Sequence, residues 1–221
     1  MQDEHRDIDH RRSLLSRRRT LARDVRAYIG LGANLGDPAG TVAEGIGAIA
    51  ALPGVRLRGV SRLYATAPVG VLDQPEFRNA VVALDAPAGN DPATSALALL
   101  VALKQLERSF GRQDRERWGP RELDLDLLVF GRHRIAVERP PAARSADPAK
   151  PTDLVVPHRL AEERLFVLAP LADLAPRLVP PGWHETVDSA RRRRERIEGA
   201  DAVRPIATWD AMRSAWTPPT S

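Results

Sequence analysis

Residues 117–131 read RWGPRELDLDLLVFG, and their interpretation decides the rest. Asp124 and Asp126 stand two apart in a run that otherwise has the composition of a buried strand. Side chains on a strand alternate between faces, so both carboxylates point the same way, about 6–7 Å apart at the backbone. The same alternation expects Leu128 and Phe130 on that face, where like charges repel and are poorly solvated. The pair therefore needs an explanation. On spacing alone, a strand with one solvated face supplies it. The residues just upstream favour another: Arg112, Arg115, Arg117 and Arg121 sit in a loop whose Gly111, Gly119 and Pro120 suit a mobile flap. Two hard carboxylates suit Mg²⁺, which keeps waters and takes further ligands from phosphate oxygens. Guanidinium groups bind the remaining phosphate charge bidentately.

Working outward, AYIGLG (27–32) reads as a strand, followed by a helix from about Thr41, with Thr41 as N-cap and Glu44 in capping-box spacing. VRLRGVSRLYAT (55–66) alternates as one strand, APVGVLDQPEF (67–77) is a loop, and FRNAVVALDA (77–86) is another strand. Asp91-Pro92 opens a strong helix that stops at Gly111. The order is β-α-β-β-α-β, which predicts an α+β, ferredoxin-like antiparallel sheet with helices packed on one face. RPPAARSADPAKPTD (139–153) reads as an exposed Pro/Ala-rich insertion, and LVVPHRLAEERLFVLAPLADLAP (154–176) returns to patterned sequence. Three regions are expected: an Arg-rich extension over 1–26, one domain over 27–187, and an Arg-rich, poorly specified tail over 188–221.

The 221 residues suffice for one domain with a real core. At 43% apolar and 28% charged, the composition is that of a soluble globular protein. No cysteine is present, which excludes disulfides and thiolate metal sites. No apolar run approaches a membrane span or a secretory signal, so a cytoplasmic protein with no membrane partner is expected. The net charge of +4 hints at nucleic acid, but its location argues otherwise. Residues 1–26 carry eight Arg against five acids and residues 191–221 seven Arg against four, leaving 18 bases against 20 acids between them. No aromatic residue near these basic runs is placed to stack a base, so they read as solvated tails or frayed helix, and nucleic acid is not the expected partner.

A P-loop is absent, since the only lysines are Lys104 and Lys150 and neither follows a glycine. Gly30, Gly32 and Gly36 are spaced one residue too long for a dinucleotide fingerprint, and a tight turn needing positive φ accounts for them better. His158 lies between Pro157 and Arg159. Alone it would be an ordinary surface or capping histidine, but with Arg164 six residues on it can form a second phosphate-binding edge.

Five segments in this order, GLGANLGD, YATAPVG, DQPEFRN, RWGPRELDLDLLVFG and VPHRLAEERLFVLAPLADLAP, closely resemble the 6-hydroxymethyl-7,8-dihydropterin pyrophosphokinase family of folate biosynthesis. The resemblance runs from about Ala27 to Pro181, roughly 70% of the chain. It implies the ferredoxin-like fold and transfer of the pyrophosphoryl group of ATP, the co-substrate, to the pterin's hydroxymethyl oxygen, releasing AMP. It implies two Mg²⁺ ions held by Asp124 and Asp126, with Arg112 and Arg121 as catalytic phosphate clamps. The ATP site it implies adds Glu107, Arg115, Trp118, Leu127, His158 and Arg164. The pterin site it implies comprises Thr66, Ala67, Pro68, Val69, Phe77, Asn79, Trp118 and Phe166, with Phe77 and Phe166 suited to stacking and the Asn79 carboxamide to the pterin's polar edge.

Three positions depart from the family pattern. The flap is one residue shorter than in some members, so its second arginine falls on Asp114 or Arg115. The family can place an arginine four residues before Pro-His, where this chain has Asp153. Ala67 is a smaller wall than the usual second residue of its loop. A monomer is expected, with a dimer as the alternative. The rivals are another Asp-x-Asp enzyme (a nucleotide-sugar glycosyltransferase or a nuclease) and an RNA-binding module that uses the Arg-rich ends. On the enzyme reading, deleting both 1–26 and 191–221 should leave turnover intact.

Overall fold

The structure is a computed structural model and describes residues 24–68, 73–111, 121–144 and 151–218. Its centre is an antiparallel sheet. Strand β1 (Asp24–Ala33) lies between β4 (Phe77–Pro87) and β5 (Asp124–Phe130). The far side of β4 is shared by β2 (Arg56–Val60) and β3 (Leu63–Thr66). The single strand expected over 55–66 is thus two. Ser61 makes the break, its backbone N–H donating to the Val81 carbonyl and its hydroxyl accepting from the Val81 N–H, both at 2.9 Å.

Helices α1 (Pro38–Ala50) and α2 (Pro92–Ser109) cover one face. There Ile29, Leu31, Leu84, Leu125 and Leu127 of the strands meet Val42, Ile46, Leu99 and Leu103 of the helices. Both helices open with Asp-Pro: Asp37 accepts from the Gly40 N–H at 3.0 Å and Asp91 from the Ala93 N–H at 3.0 Å. The N-cap of α1 is therefore Asp37 and not Thr41, which lies a turn inside. Proline preset at the first helical position decides the start.

Helices were expected on one face only, but the other face is covered in part. Strands β6 (Ile135–Glu138) and β7 (Asp153–Val156) form a separate hairpin, after which α3 (Leu165–Leu174) and α4 (Val187–Glu198) pack on Tyr28, Val81, Ala83, Leu128 and Val129 through Val167, Leu168, Leu171 and Ala190. Asp173 fastens α3 to β3, accepting from the Tyr64 hydroxyl at 3.0 Å and from Arg62 at 2.6 Å. The rest of this face stays open, and the cleft lies there. Within the span read as an exposed insertion, Arg139 is half-buried and Ala143 is buried. Among the described residues no helix is long and apolar enough to cross a membrane.

Beyond Asp188 the chain is ordered into elements, which corrects its reading as a frayed or solvated tail. In α4 the arginines are matched locally: Arg191 and Arg192 to Asp188 at 2.9 Å, Arg193 to Glu185 at 2.8 Å and Arg194 to Glu198 at 2.5 Å. Two further strands follow. β8 (Val203–Asp210) pairs with β3, and β9 (Ala215–Thr217) pairs with the end of β8. Deleting 191–221 would remove both strands and most of α4, so the harmlessness expected of that truncation no longer follows.

Candidate active site

A β-bulge sets the carboxylate pair. Tyr28 faces Val129 but Ile29 faces Leu127, leaving Leu128 as the extra residue on β5. Asp124, Asp126 and Leu128 consequently share the open face, whereas Phe130 turns into the core on the other side. The expectation that Phe130 sits beside the aspartates is wrong for this reason. Leu127 likewise points into the α1–α2 core and does not line the cleft.

The cleft encloses about 660 Å³. Gly30 and Gly32 give it a flat floor, and both sit within β1, so the tight-turn explanation holds only for Gly36, whose φ is +60°. Around the floor stand Arg121, Asp124, Asp126, Lys104, Glu107, Arg139, His158 and Arg164 at one end, and Thr66, Ala67, Phe77, Asn79 and Phe166 at the other. The structure thus brings together eleven of the anticipated residues. Pro68 follows Ala67 without lining the cleft. Arg112, Arg115, Trp118 and Val69, with Asp114, lie outside the described residues.

The aspartates have cations of their own. Arg121 hydrogen-bonds Asp124, and the Lys104 ammonium lies 3.9 Å from Asp126. Lys104 also donates to Glu107 Oε1 at 2.7 Å and to the Leu125 carbonyl at 2.8 Å, while Glu107 Oε1 accepts the Leu125 N–H at 2.7 Å. β5 is an edge strand, so these two helical side chains satisfy backbone groups that no neighbouring strand takes up. Glu107 is only 2% exposed, and its charge is tenable because Lys104 is beside it. Its first role here is to dock α2 onto the strand that carries the two aspartates.

Asn34 is a second residue that the sequence did not single out. It is 1% exposed and holds Arg121 by its main chain, accepting the Arg121 N–H at 2.7 Å on Oδ1 while its own N–H donates to the Arg121 carbonyl at 3.1 Å. Its Nδ2 donates to Gln74 Oε1 at 3.0 Å and to the Pro75 carbonyl at 3.2 Å. One carboxamide ties Arg121, three residues before Asp124, to the segment leading into Phe77.

Arg139 is the third. Its Nε donates to the Asp153 carbonyl at 3.0 Å, which puts a guanidinium next to the position where the family pattern calls for arginine. Burial lowers its pKa; Asp126, Glu107 and Asp153 oppose that, and Arg159 reinforces it. Arg139 lies just past the end of β6, across the hairpin from β7, a juxtaposition that linear spacing conceals.

His158 donates its backbone N–H to the Leu128 carbonyl at 2.9 Å, and its Nδ1 accepts from the Leu160 N–H at 3.3 Å. In the neutral ring the proton is therefore on Nε2. Burial lowers its pKa; Asp126 opposes that, and Arg164, Arg139 and Lys104 reinforce it. An NMR titration of His158 should give a midpoint below the ordinary 6.5. Because the unfolded chain then binds the proton first, this group makes folding less stable as pH falls from 6.5 towards its folded pKa. A midpoint above 6.5 would contradict the burial argument.

At the far end, Asn79 Nδ2 donates to Thr66 Oγ1 at 2.7 Å. Asn79 faces Gly32 across the β1–β4 ladder, and a Cβ on Gly32 would stand 2.9 Å from Asn79 Oδ1. Glycine is required there for that approach. On the expectation that a pterin binds at this end, Gly32→Ala should weaken that binding about tenfold by displacing one hydrogen-bonding group, with a smaller effect on nucleotide; equal effects on both ligands in titrations would contradict it. The Arg164 guanidinium lies 5.6 Å from the Phe166 ring centroid, joining the two ends of the cleft.

The family model described as 7,8-dihydro-6-hydroxymethylpterin-pyrophosphokinase (HPPK) matches residues 28–176. The 2-amino-4-hydroxy-6-hydroxymethyldihydropteridine pyrophosphokinase of Methylorubrum extorquens is 40% identical over 166 residues, covering 75% of this chain and 91% of that protein. The protein of the same name from Pseudomonas aeruginosa is 42% identical over 160 residues, covering 72% of this chain and 86% of that protein. Among solved structures, Plasmodium falciparum HPPK-DHPS wild type with pteroate superposes with a TM-score of 0.64 at 15% identity, covering 89% of this chain and 48% of that one. An HPPK-DHPS in complex with substrates gives 0.65 at 12%, covering 89% and 49%. This chain spans about half the length of those two, and they bear on the fold alone. The sequence relatives and the matched family model decide the assignment: the chain belongs to the 7,8-dihydro-6-hydroxymethylpterin-pyrophosphokinase family.

Proposed function

We propose that this protein transfers the β,γ-pyrophosphoryl group of ATP to the hydroxymethyl oxygen of 6-hydroxymethyl-7,8-dihydropterin in folate biosynthesis. The pterin oxygen bonds to the β-phosphorus, the bond from that phosphorus to the oxygen shared with the α-phosphate breaks, and AMP leaves. One observation carries the reading. A pair of carboxylates ringed by cations opens directly onto a pocket floored by an amide–hydroxyl pair and flanked by two aromatic rings.

The donor set fits Mg²⁺. Asp124 and Asp126 are hard oxygen donors on one face, which suits an ion that completes its shell with phosphate and water. Two ions bound there would neutralise triphosphate charge and acidify the attacking hydroxyl. The protein's own side chains do the rest. Arg121, Arg139 and Arg164 bind phosphate oxygens, His158 donates from Nε2, and Asn79 and Thr66 orient the pterin between Phe77 and Phe166. No side chain needs to act as a strong base, because positioning and fixed charge dominate phosphoryl transfer.

The direct test is AMP release from ATP and Mg²⁺ with and without the pterin. AMP formed in step with pterin diphosphate supports the reading. AMP formed without the pterin, or none at all, contradicts it.

A further inference from the structure

The strand β8 lies beyond the family match at 28–176, yet it pairs with β3, whose Thr66 lines the cleft. Thr66 is paired on one side with Phe77 and on the other with Val203, so these three form a single row across β4, β3 and β8. Val203 is 8% exposed and packs with Tyr64, Leu165 and Ala169, against which Phe166 also packs. The next residue, Arg204, reaches the loop on the other flank: its Nη2 donates to Glu76 Oε1 at 2.8 Å. Glu76 immediately precedes Phe77, and its second oxygen accepts from Arg78 at 3.2 Å. Without β8, β3 would be the sheet's border and its outward backbone groups would lose their partners.

We propose that β8 is a positioning element of the pterin end of the cleft, with Val203 backing Phe166 and Arg204 fixing the approach to Phe77 through Glu76. The inference rests on the assignment of that end to the pterin. Two rings that stack on a flat heterocycle must stand a fixed distance apart, and neither is anchored by a hydrogen bond of its own ring. Contacts from outside the cleft set that distance, so their loss should affect the heterocycle and leave the phosphate-binding end alone.

The test uses the full chain carrying V203A and R204A together. Pterin binding is read by fluorescence titration with 6-hydroxymethylpterin in the presence of α,β-methylene-ATP and Mg²⁺, and nucleotide binding by calorimetry with α,β-methylene-ATP and Mg²⁺. The pterin Kd should rise about five- to tenfold, the loss expected for one exposed ion pair and a pair of buried methyl groups. The nucleotide Kd should stay within about twofold, the pterin KM should rise with kcat held, and R204K alone should bind pterin nearly as the parent does, since the charge opposite Glu76 is kept. An unchanged pterin Kd, or equal losses for both ligands alongside a lowered melting temperature, would overturn the proposal. Asn79→Ala in the same titration separates the two levels. If it leaves pterin binding intact, the pterin assignment itself fails. If it weakens binding and the β8 variant does not, only the role of β8 fails.

Discussion

Asp126→Ala should lower turnover about a thousandfold or more, the scale on which losing several kcal/mol of metal-mediated stabilisation is felt. The fold should survive. The Asp126 side chain is 38% exposed and its nearest described cation, Lys104, is 3.9 Å away, so the ion pair is worth no more than about 1 kcal/mol. Lys104 keeps Glu107 and the Leu125 carbonyl as partners when the aspartate is removed, so it is not stranded. Steady-state kinetics with thermal melting checks both halves. A variant that melts normally and turns over within tenfold of the parent would show that Asp126 does not hold the metal.

Arg121→Ala should lower kcat by about a hundredfold, in line with removal of one preorganised donor from a charged transition state. Its guanidinium already lies against Asp124, and its main chain is locked from both directions by Asn34. Such a group costs little to order when the phosphates arrive. Arg121→Lys should recover only part of the loss, because a point charge does not reproduce the planar fork that binds phosphate. A raised KM for ATP with kcat unchanged would place Arg121 in ground-state binding instead.

Comparing the two variants clarifies what the neighbouring aspartates need. The run LDLDLL implied that a dication and a nucleotide stabilise them. In the structure, the chain itself supplies Arg121 for one and Lys104 for the other before any ligand enters. On the proposed function, magnesium and triphosphate add a further pair of opposite charges. Lys104 was invisible to this reasoning because its importance depends on the turn of α2 that faces the edge of β5, a relation between elements 21 residues apart.

The same distinction separates what was legible in the sequence from what was not. Hydrophobic period and the Asp-Pro openings fix α1, α2 and the central strands locally, so their order could be read directly. The face of Phe130 could not, because a bulge is defined by the partner's register and leaves no mark on its own strand. Arg139 was hidden by the residues that separate it from Asp153, although the β6–β7 hairpin returns the two to contact. The C-terminal segment looked poorly specified because Arg191–Arg194 read as a solvated basic run. Local carboxylates match those arginines, and Pro205 is accommodated in β8 where that strand is paired with β3 alone.

The account's central claim is that Asp124 and Asp126 jointly hold the cation that carries the nucleotide. Anomalous diffraction from a crystal soaked with Mn²⁺ and α,β-methylene-ATP tests it most directly. A peak shared by the two carboxylates and bridged to phosphate oxygens is the predicted result; ordered nucleotide with no peak at either aspartate would contradict it.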